Sequence, residues 1–311
     1  MSNIAFVFPG QGAQTVGMGR DLVEQYPVAA SVFDAASAAL GYDMRSLCFD
    51  GPDEALKQTE KTQPSILTVS YAAFRVLESR GIKPALVAGL SLGEYSALVA
   101  AGVLDFGQTV QTVRMRGRFM QDEVPAGVGA MAAIMGIEDE KVVEACRYGA
   151  EIGICEPANF NCPLQLVIAG EVKAVERAVE KAKELGAKKA VLLPVSAPFH
   201  TSMLKGAGEK LAVELDKMTF SPFAVPLVSN VHADVVAESS QVRDLLVRQV
   251  SSPVLWNASV EKMIAQGIDT FIEVGPGTAL SKFIKRISKE VRILNVEDSA
   301  SLESTLTALG A

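Results

Sequence analysis

The chain has 311 residues, enough for about two domains at roughly 150 residues each, or for one large α/β unit carrying an insertion. It is 49% hydrophobic and 21% charged, with a mean hydropathy of +0.25, which excludes a disordered chain and implies a compact fold that buries many small residues. Its 29 basic and 36 acidic side chains give a net charge of −7 with no long basic run, which argues against a nucleic-acid duplex as partner.

The amino-terminal stretch through Gly12 lacks the basic region and long apolar core of a secretion signal, so export is not expected. Cys48, Cys146, Cys155 and Cys162 form no close CxxC pair and are too sparse for a disulfide scaffold, so reduced thiols and a cytoplasmic location are expected. The apolar run Ile4 to Phe8, ended by Pro9-Gly10-Gln11-Gly12, reads as a buried strand entering a glycine loop. A helical stretch from about Gly19 to Ala39 follows, then a polar loop around Gly51, Pro52 and Asp53. Ile66, Val69, Ala73, Val76 and Leu77 recur at helical spacing, and Lys83-Pro84 ends that segment. The most apolar window, the 20 residues Ala85 to Leu104, is long enough to span a bilayer, but Glu94 at its midpoint would cost about 3 kcal/mol there, so no membrane span is expected. With Gly89, Ser91 and Gly93 interrupting it, the window reads as a strand (Ala85 to Leu90), a turn at Ser91, and a helix (Leu92 to Ala101) stopped at Gly102. Strands and helices alternating at this spacing predict a parallel α/β sheet.

From about Gly127 the pattern changes to strand (Ala130 to Met135), helix (Asp139 to Tyr148), strands (Ile152 to Cys155 and Gln165 to Ala169), charged helix (Val172 to Leu185) and strand (Ala190 to Val195). That βαββαβ order is ferredoxin-like. The expected organisation is an α/β-hydrolase-like, parallel-sheet body of residues 1–127 and 195–311, interrupted by a ferredoxin-like small domain of residues 128–194 that roofs the turn at Ser91. After the insertion come the loop Pro198-Phe199-His200, a helix from about Met203 to Met218, a strand near Val225 to Asn230, and a strand Thr270 to Val274 running into Gly275-Pro276-Gly277.

Gly89-Leu90-Ser91-Leu92-Gly93 between a buried strand and a helix has the G-x-S-x-G form of a nucleophile elbow, in which a tight turn exposes the serine hydroxyl. The following helix start supplies free N–H groups and partial positive charge where an oxyanion develops. A serine hydroxyl needs a base within hydrogen-bond reach, and only His200 and His232 are available. His200, in a loop after a strand, is the better candidate. His232 lies in the polar stretch Asn230 to Asp234 and reads as a surface residue. No acidic residue stands out as a third member.

In order along the chain, Phe8-Pro-Gly-Gln-Gly12, Gln63-Pro64, Gly89-Leu-Ser-Leu-Gly-Glu94, Met115-Arg-Gly117, Gly129-Ala-Met131, Asn159-Phe-Asn161, Pro194-Val-Ser196, Phe199-His200, Val247-Arg-Gln249 with Pro253-Val254, and Glu273-Val-Gly-Pro-Gly277 resemble the malonyl-CoA:acyl-carrier-protein transacylases of type II fatty acid synthesis over essentially the whole length. The resemblance implies that Ser91 attacks the thioester of malonyl-CoA and that His200 takes its proton, in a ping-pong reaction completed by the phosphopantetheine thiol of a holo-acyl carrier protein. It also implies that the Gln249 main-chain carbonyl orients His200, which accounts for the missing acid, and that the backbone N–H groups of Gln11 and Leu92 form the oxyanion hole.

A malonyl carboxylate calls for an arginine. Of Arg114, Arg116 and Arg118, helical geometry sets Arg118 farthest from the apolar stripe and leaves Arg114 and Arg116 on its two flanks, so periodicity does not choose between them. The match to Met-Arg-Gly selects Arg116. Phe199 beside His200 matches a pattern linked in related acyltransferases to small malonyl-type substrates. The chain departs from many family members in having Leu90, not histidine, before the nucleophile; this bears on packing beneath the turn. No metal or cofactor is implied. Lys188, Lys189, Lys282, Lys285 and Arg286 are candidates for the basic patch that an acidic carrier protein needs. Two other readings use the same residues: a thioesterase or esterase that passes the acyl group to water, and a non-catalytic carrier-binding scaffold. The missing acid and the resemblance weigh against the first, and the joint presence of Ser91, His200, Arg116 and Gln11 against the second.

Overall fold

The computed structural model describes residues 3–195 and 197–311; Ser196, which ends the motif begun by Pro194, lies outside the described residues, as do Met1 and Ser2. The strands in chain order are β1 (Ile4–Phe8), β2 (Leu86–Gly89), β3 (Gly129–Met135), β4 (Cys155–Cys162), β5 (Gln165–Glu171), β6 (Lys189–Leu192), β7 (Leu227–Val228), β8 (Val235–Val236), β9 (Thr270–Val274) and β10 (Arg292–Val296). They form a six-stranded sheet in the order β10-β9-β1-β2-β7-β8 and a four-stranded sheet in the order β4-β5-β3-β6. All pairings in the larger sheet are parallel except the β7–β8 hairpin, and those in the smaller sheet are antiparallel, as a ferredoxin-like unit requires.

Helices cover both faces of the larger sheet, which is why its central strands read as continuous apolar runs. Period-two alternation divides each strand between two cores. Phe6, Phe8, Val87 and Ile272 pack against Val32, Ile66, Val69 and Val113 on one side. Ala5, Val7, Ala88 and Phe271 meet Val260, Met263 and Ile284 on the other. Each fully buried aliphatic or phenyl group contributes about 1.5–3 kcal/mol. The smaller sheet has its own core, in which Ile134, Leu166 and Ile168 pack on Val142, Val175 and Ala178.

Several elements differ from expectation for identifiable reasons. The helix expected over 19–39 is two helices, Arg20–Gln25 and Pro27–Leu40, because Tyr26 is extended (φ −127°, ψ 111°), as a residue before proline tends to be. The polar region around Gly51 contains the short helices Met44–Asp50 and Asp53–Leu56, the first capped by Asp43 Oδ1, which accepts the Arg45 and Ser46 N–H groups. The strand expected over Ile152 to Cys155 begins only at Cys155 and continues to Cys162. Polar residues inside it obscured the pattern. Asn159 bridges to Val254 of the body, and Phe160 N–H and Val254 N–H donate to the Val254 and Ala158 carbonyls, each at 2.9 Å. The strand expected near Val225 to Asn230 is the two-residue β7, paired with β8, and the helix expected from Met203 is a 3-10 turn at Ser202–Leu204 followed by Lys205–Leu215. The strand expected over Ala190 to Val195 is β6.

The smaller sheet meets the body at the loop that carries His200. The Gly129 Cα lies against the Pro198 ring, and Glu156 of β4 accepts both the N–H and the hydroxyl of Ser202, each at 2.7 Å.

Candidate active site

β1 and β2 run side by side with Phe8 opposite Gly89, so their two following loops start together at one edge of the sheet. The turn after β2 is tight. A Cβ on Gly93, at the start of the Gly93–Ala100 helix, would lie 2.0 Å from the Phe8 carbonyl oxygen, and one on Gly10 would lie 2.4 Å from that of Leu90. Ser91 at the tip adopts φ 54°, a left-handed conformation that serine rarely takes and that surrounding contacts must enforce. Asn230 does so: its side-chain oxygen accepts the Ser91 N–H and its amide donates to the Gly89 carbonyl, both at 2.7 Å. Leu90 is half-buried against Gly10 and the apolar layer behind β1 and β2.

His200 is buried and also left-handed, at φ 64°. Its Nδ1 lies 2.9 Å from the Gln249 carbonyl oxygen, which can only accept, so Nδ1 carries the proton. Nε2 is then the acceptor for the Ser91 hydroxyl at 2.7 Å. Burial, reinforced by the Arg116 charge, pushes the imidazole from its ordinary 6.5 down to about 4, so the ring is neutral and able to take a proton at physiological pH. His232 is exposed, and its Nε2 meets Arg248 at 3.1 Å.

Of the three candidate arginines, Arg116 alone enters the core. Arg114 donates to the Leu40 carbonyl at 3.4 Å, and Arg118 is a surface residue paired with Asp122. Arg116, 1% exposed, donates to Gln63 Oε1 (2.8 Å), Gln249 Oε1 (3.0 Å) and the Ser91 hydroxyl oxygen (3.3 Å), and its guanidinium lies over the Tyr95 ring at 5.4 Å. Burial lowers its pKa, yet a guanidinium remains charged. Its hydrogen-bond partners are all neutral, and among the described residues its Nε meets no acceptor. The backbone N–H groups of Gln11 and Leu92, each three residues past the paired strand ends, donate to no acceptor among the described residues. Phe199 is buried in the principal core beside His200. Lys188, Lys189, Lys282, Lys285 and Arg286 are all exposed, and Arg286 also ties the two sheets' units together through Gln165 Oε1 and the Pro163 carbonyl, both at 2.6 Å.

Four features of the site escaped the reading of individual residues: Asn230, the Gln63 side chain, the Gln249 side chain and Glu94. Gln249 contributes its carbonyl to His200, and its amide also donates to the Ser91 carbonyl (3.0 Å) and to Glu94 Oε2 (2.5 Å). The available signal was a polar residue within an otherwise apolar stretch, as with Glu94 in the most hydrophobic window of the chain.

A family model described as an acyl transferase domain matches residues 5–305. The chain is 50% identical over 307 residues to the malonyl CoA-acyl carrier protein transacylase of Escherichia coli, covering 98% of this chain and 99% of that one. An acyl carrier protein S-malonyltransferase from Vibrio cholerae has a solved structure that matches with TM-score 0.94 at 50% identity, over 98% of this chain and 100% of that chain. A structure described as a type II PKS acyl-carrier protein in complex with its malonyl-transacylase matches with TM-score 0.96 at 45% identity, over 99% of this chain and 100% of that chain.

Proposed function

The chain belongs to the acyl transferase family, and from that premise we infer that it moves the malonyl group of malonyl-CoA to the phosphopantetheine thiol of a holo-acyl carrier protein. Ser91 Oγ attacks the thioester carbonyl carbon as its proton passes to His200 Nε2, and the Gln11 and Leu92 N–H groups receive the oxyanion. Each such donor is typically worth about 3 kcal/mol in the transition state. The C–S bond breaks, and the departing CoA sulfur takes the proton from His200. In the second half the carrier thiol gives its proton to His200, its sulfur attacks the acyl-serine, and Ser91 recovers the proton as the ester bond breaks. Only acyl bonds are exchanged, so the scheme draws on no metal or redox cofactor.

The observation that carries this reading is the shared contact of Ser91 Oγ with His200 Nε2 at 2.7 Å and with the buried Arg116 at 3.3 Å. One methylene separates the carboxylate of a malonyl ester from the carbonyl bound to Ser91, and Arg116 lies beside that oxygen with only neutral partners. An acyl carboxylate supplies the charged partner that the buried guanidinium lacks, at about 1.5–3 kcal/mol for a charge-assisted hydrogen bond. A neutral acyl group leaves it unpaired. We assign Phe199 to the acyl site from its place next to the base in the chain. The four cysteines, buried and unpaired, fit a reducing cytoplasm, and among the described residues no helix is long and apolar enough to cross a membrane.

Incubation with malonyl-CoA alone is expected to leave one malonyl group on Ser91, seen by intact-mass spectrometry and absent from Ser91→Ala. CoA release stops at about one equivalent until holo-carrier protein is added, the burst expected of an acyl-enzyme. Steady CoA release without a thiol acceptor would replace this reading with a hydrolase.

A further inference from the structure

Glu94 is a buried carboxylate, 1% exposed, that the acyl-transfer steps do not use. Its Oε2 accepts the Gln249 amide at 2.5 Å and the Asn230 N–H at 3.3 Å. The other end of that amide, Oε1, accepts from Arg116 at 3.0 Å. The amide therefore has one consistent orientation, with its NH2 toward a carboxylate and its oxygen toward a guanidinium, which can only donate. One uncharged group separates opposite charges in the protein core, and the guanidinium continues the path to Ser91 Oγ at 3.3 Å.

When an acyl group carrying a carboxylate occupies Ser91, one cation faces two carboxylates. We propose that Glu94 is a positioning residue that sets acyl selectivity: through the Gln249 amide it holds the Arg116 guanidinium, and when ionised it competes with the acyl carboxylate for that charge. The proposal rests on the reading of Arg116 as the acceptor of the malonyl carboxylate. Burial keeps Glu94 poised, pushing its carboxyl up to about 7 against the hydrogen bonds from Gln249 and Asn230 and the charge of Arg116. The other titratable groups around it are Tyr95 on its own helix, Arg116 and His200. His232 and Arg248, from the elements that carry Asn230 and Gln249, are exposed and bonded to each other at 3.1 Å. Above about pH 7 an ionised Glu94 offsets the guanidinium and weakens the hold on a malonyl carboxylate, whereas below it the neutral acid leaves Arg116 to the substrate. By reciprocity, a malonyl group raises the Glu94 carboxyl further and draws a proton onto it.

The test is the ratio of kcat/KM for malonyl-CoA over acetyl-CoA against pH, in which the CoA phosphates and His200 titrate alike for both substrates and cancel. In the wild type the ratio is expected to fall about fivefold or more between about pH 6 and about pH 8.5, carried by KM. Glu94→Gln keeps an oxygen for both donors without the charge, and is expected to hold the ratio at its low-pH value throughout. A flat ratio in the wild type overturns the proposal and needs no variant to fold; an undiminished pH dependence in Glu94→Gln overturns it as well. Arg116→Ala separates this idea from the reading beneath it. Survival of malonyl preference in that variant refutes the Arg116 assignment, while its loss there, beside a flat wild-type ratio, refutes the role of Glu94 alone.

Discussion

His200 gives its Nδ1 proton to a main-chain carbonyl, in the place where a Ser-His-Asp triad has a carboxylate. A carbonyl fixes the tautomer and ring orientation but carries no net charge to stabilise an imidazolium. Burial and the nearby Arg116 guanidinium act against the imidazolium too, which is why the ring titrates near 4 and not at its ordinary 6.5. A base so depressed is fully available at neutral pH and stays so in mild acid. Acylation by acetyl-CoA, which brings no carboxylate to Arg116, is therefore expected to keep its kcat/KM from about pH 7 down to about pH 5.5 and to fall only on approaching the depressed value. Half-loss at an ordinary histidine value, once the titration of the CoA phosphates is allowed for, would mean that the ring is not the buried base described here. In the proposed mechanism the weak intrinsic basicity of such a ring leaves more of the transition-state stabilisation to the Gln11 and Leu92 N–H groups.

The strand, turn and helix around Ser91 form one continuous element whose shape depends on contact between backbones. A methyl group on Gly93 would meet the Phe8 carbonyl oxygen at 2.0 Å and its carbon at 2.8 Å, and neither can swing aside as a side-chain tip can. Gly93→Ala is expected to cost about 3 kcal/mol or more, because helix and β1 must part, and to lower acylation of Ser91 as the N–H groups beyond both strands separate. A denaturant midpoint within error of the wild type would show that the gap opens easily. This element was legible in sequence because everything that defines it is local: an apolar strand, two glycines, a serine, then a helix. His200 was legible as one of only two histidines and the one in a loop after a strand, whereas the main-chain role of Gln249 was legible only through ordered motif matches. Asn230 was not, since it reaches Ser91 from 139 positions away and resembles any loop asparagine until the fold closes. The strand β4 was misplaced for a related reason, its buried Asn159 and Asn161 breaking an alternation that assumes polar residues face water. The break at Tyr26 was a different matter: Pro27 was visible, and the restriction that it places on its predecessor sufficed to end the first helix.

At the scale of the whole molecule, the body buries two titratable groups, His200 and Glu94, whose effects on folding have opposite signs. His200 has a folded value depressed from 6.5 to about 4, so its contribution is fully present above 6.5 and is lost as pH falls through the folded value, because the unfolded ring binds the proton first. Glu94 has a folded value raised from 4.5 to about 7, so its contribution is fully present below 4.5 and is lost as pH rises to about 7, because the unfolded carboxyl releases its proton first. Across the overlapping window the two slopes oppose each other and flatten the dependence of stability on pH. Replacing Glu94 by Gln removes one of them. Any hydrogen-bond change is a constant offset, so the stability of Glu94→Gln relative to the wild type is expected to increase between about pH 4.5 and about pH 7, by on the order of 1–3 kcal/mol, and then level off. Thermal or denaturant unfolding of the two proteins side by side across that range measures this difference directly, and the remaining carboxylates cancel because both chains share them. A difference that stays constant with pH would mean that Glu94 is already ionised throughout, held by Gln249, Asn230 and Arg116 more strongly than burial opposes. The protein would then keep a buried charge at its centre across that range, and the acid-induced loss of stability traceable to His200 would appear there without compensation.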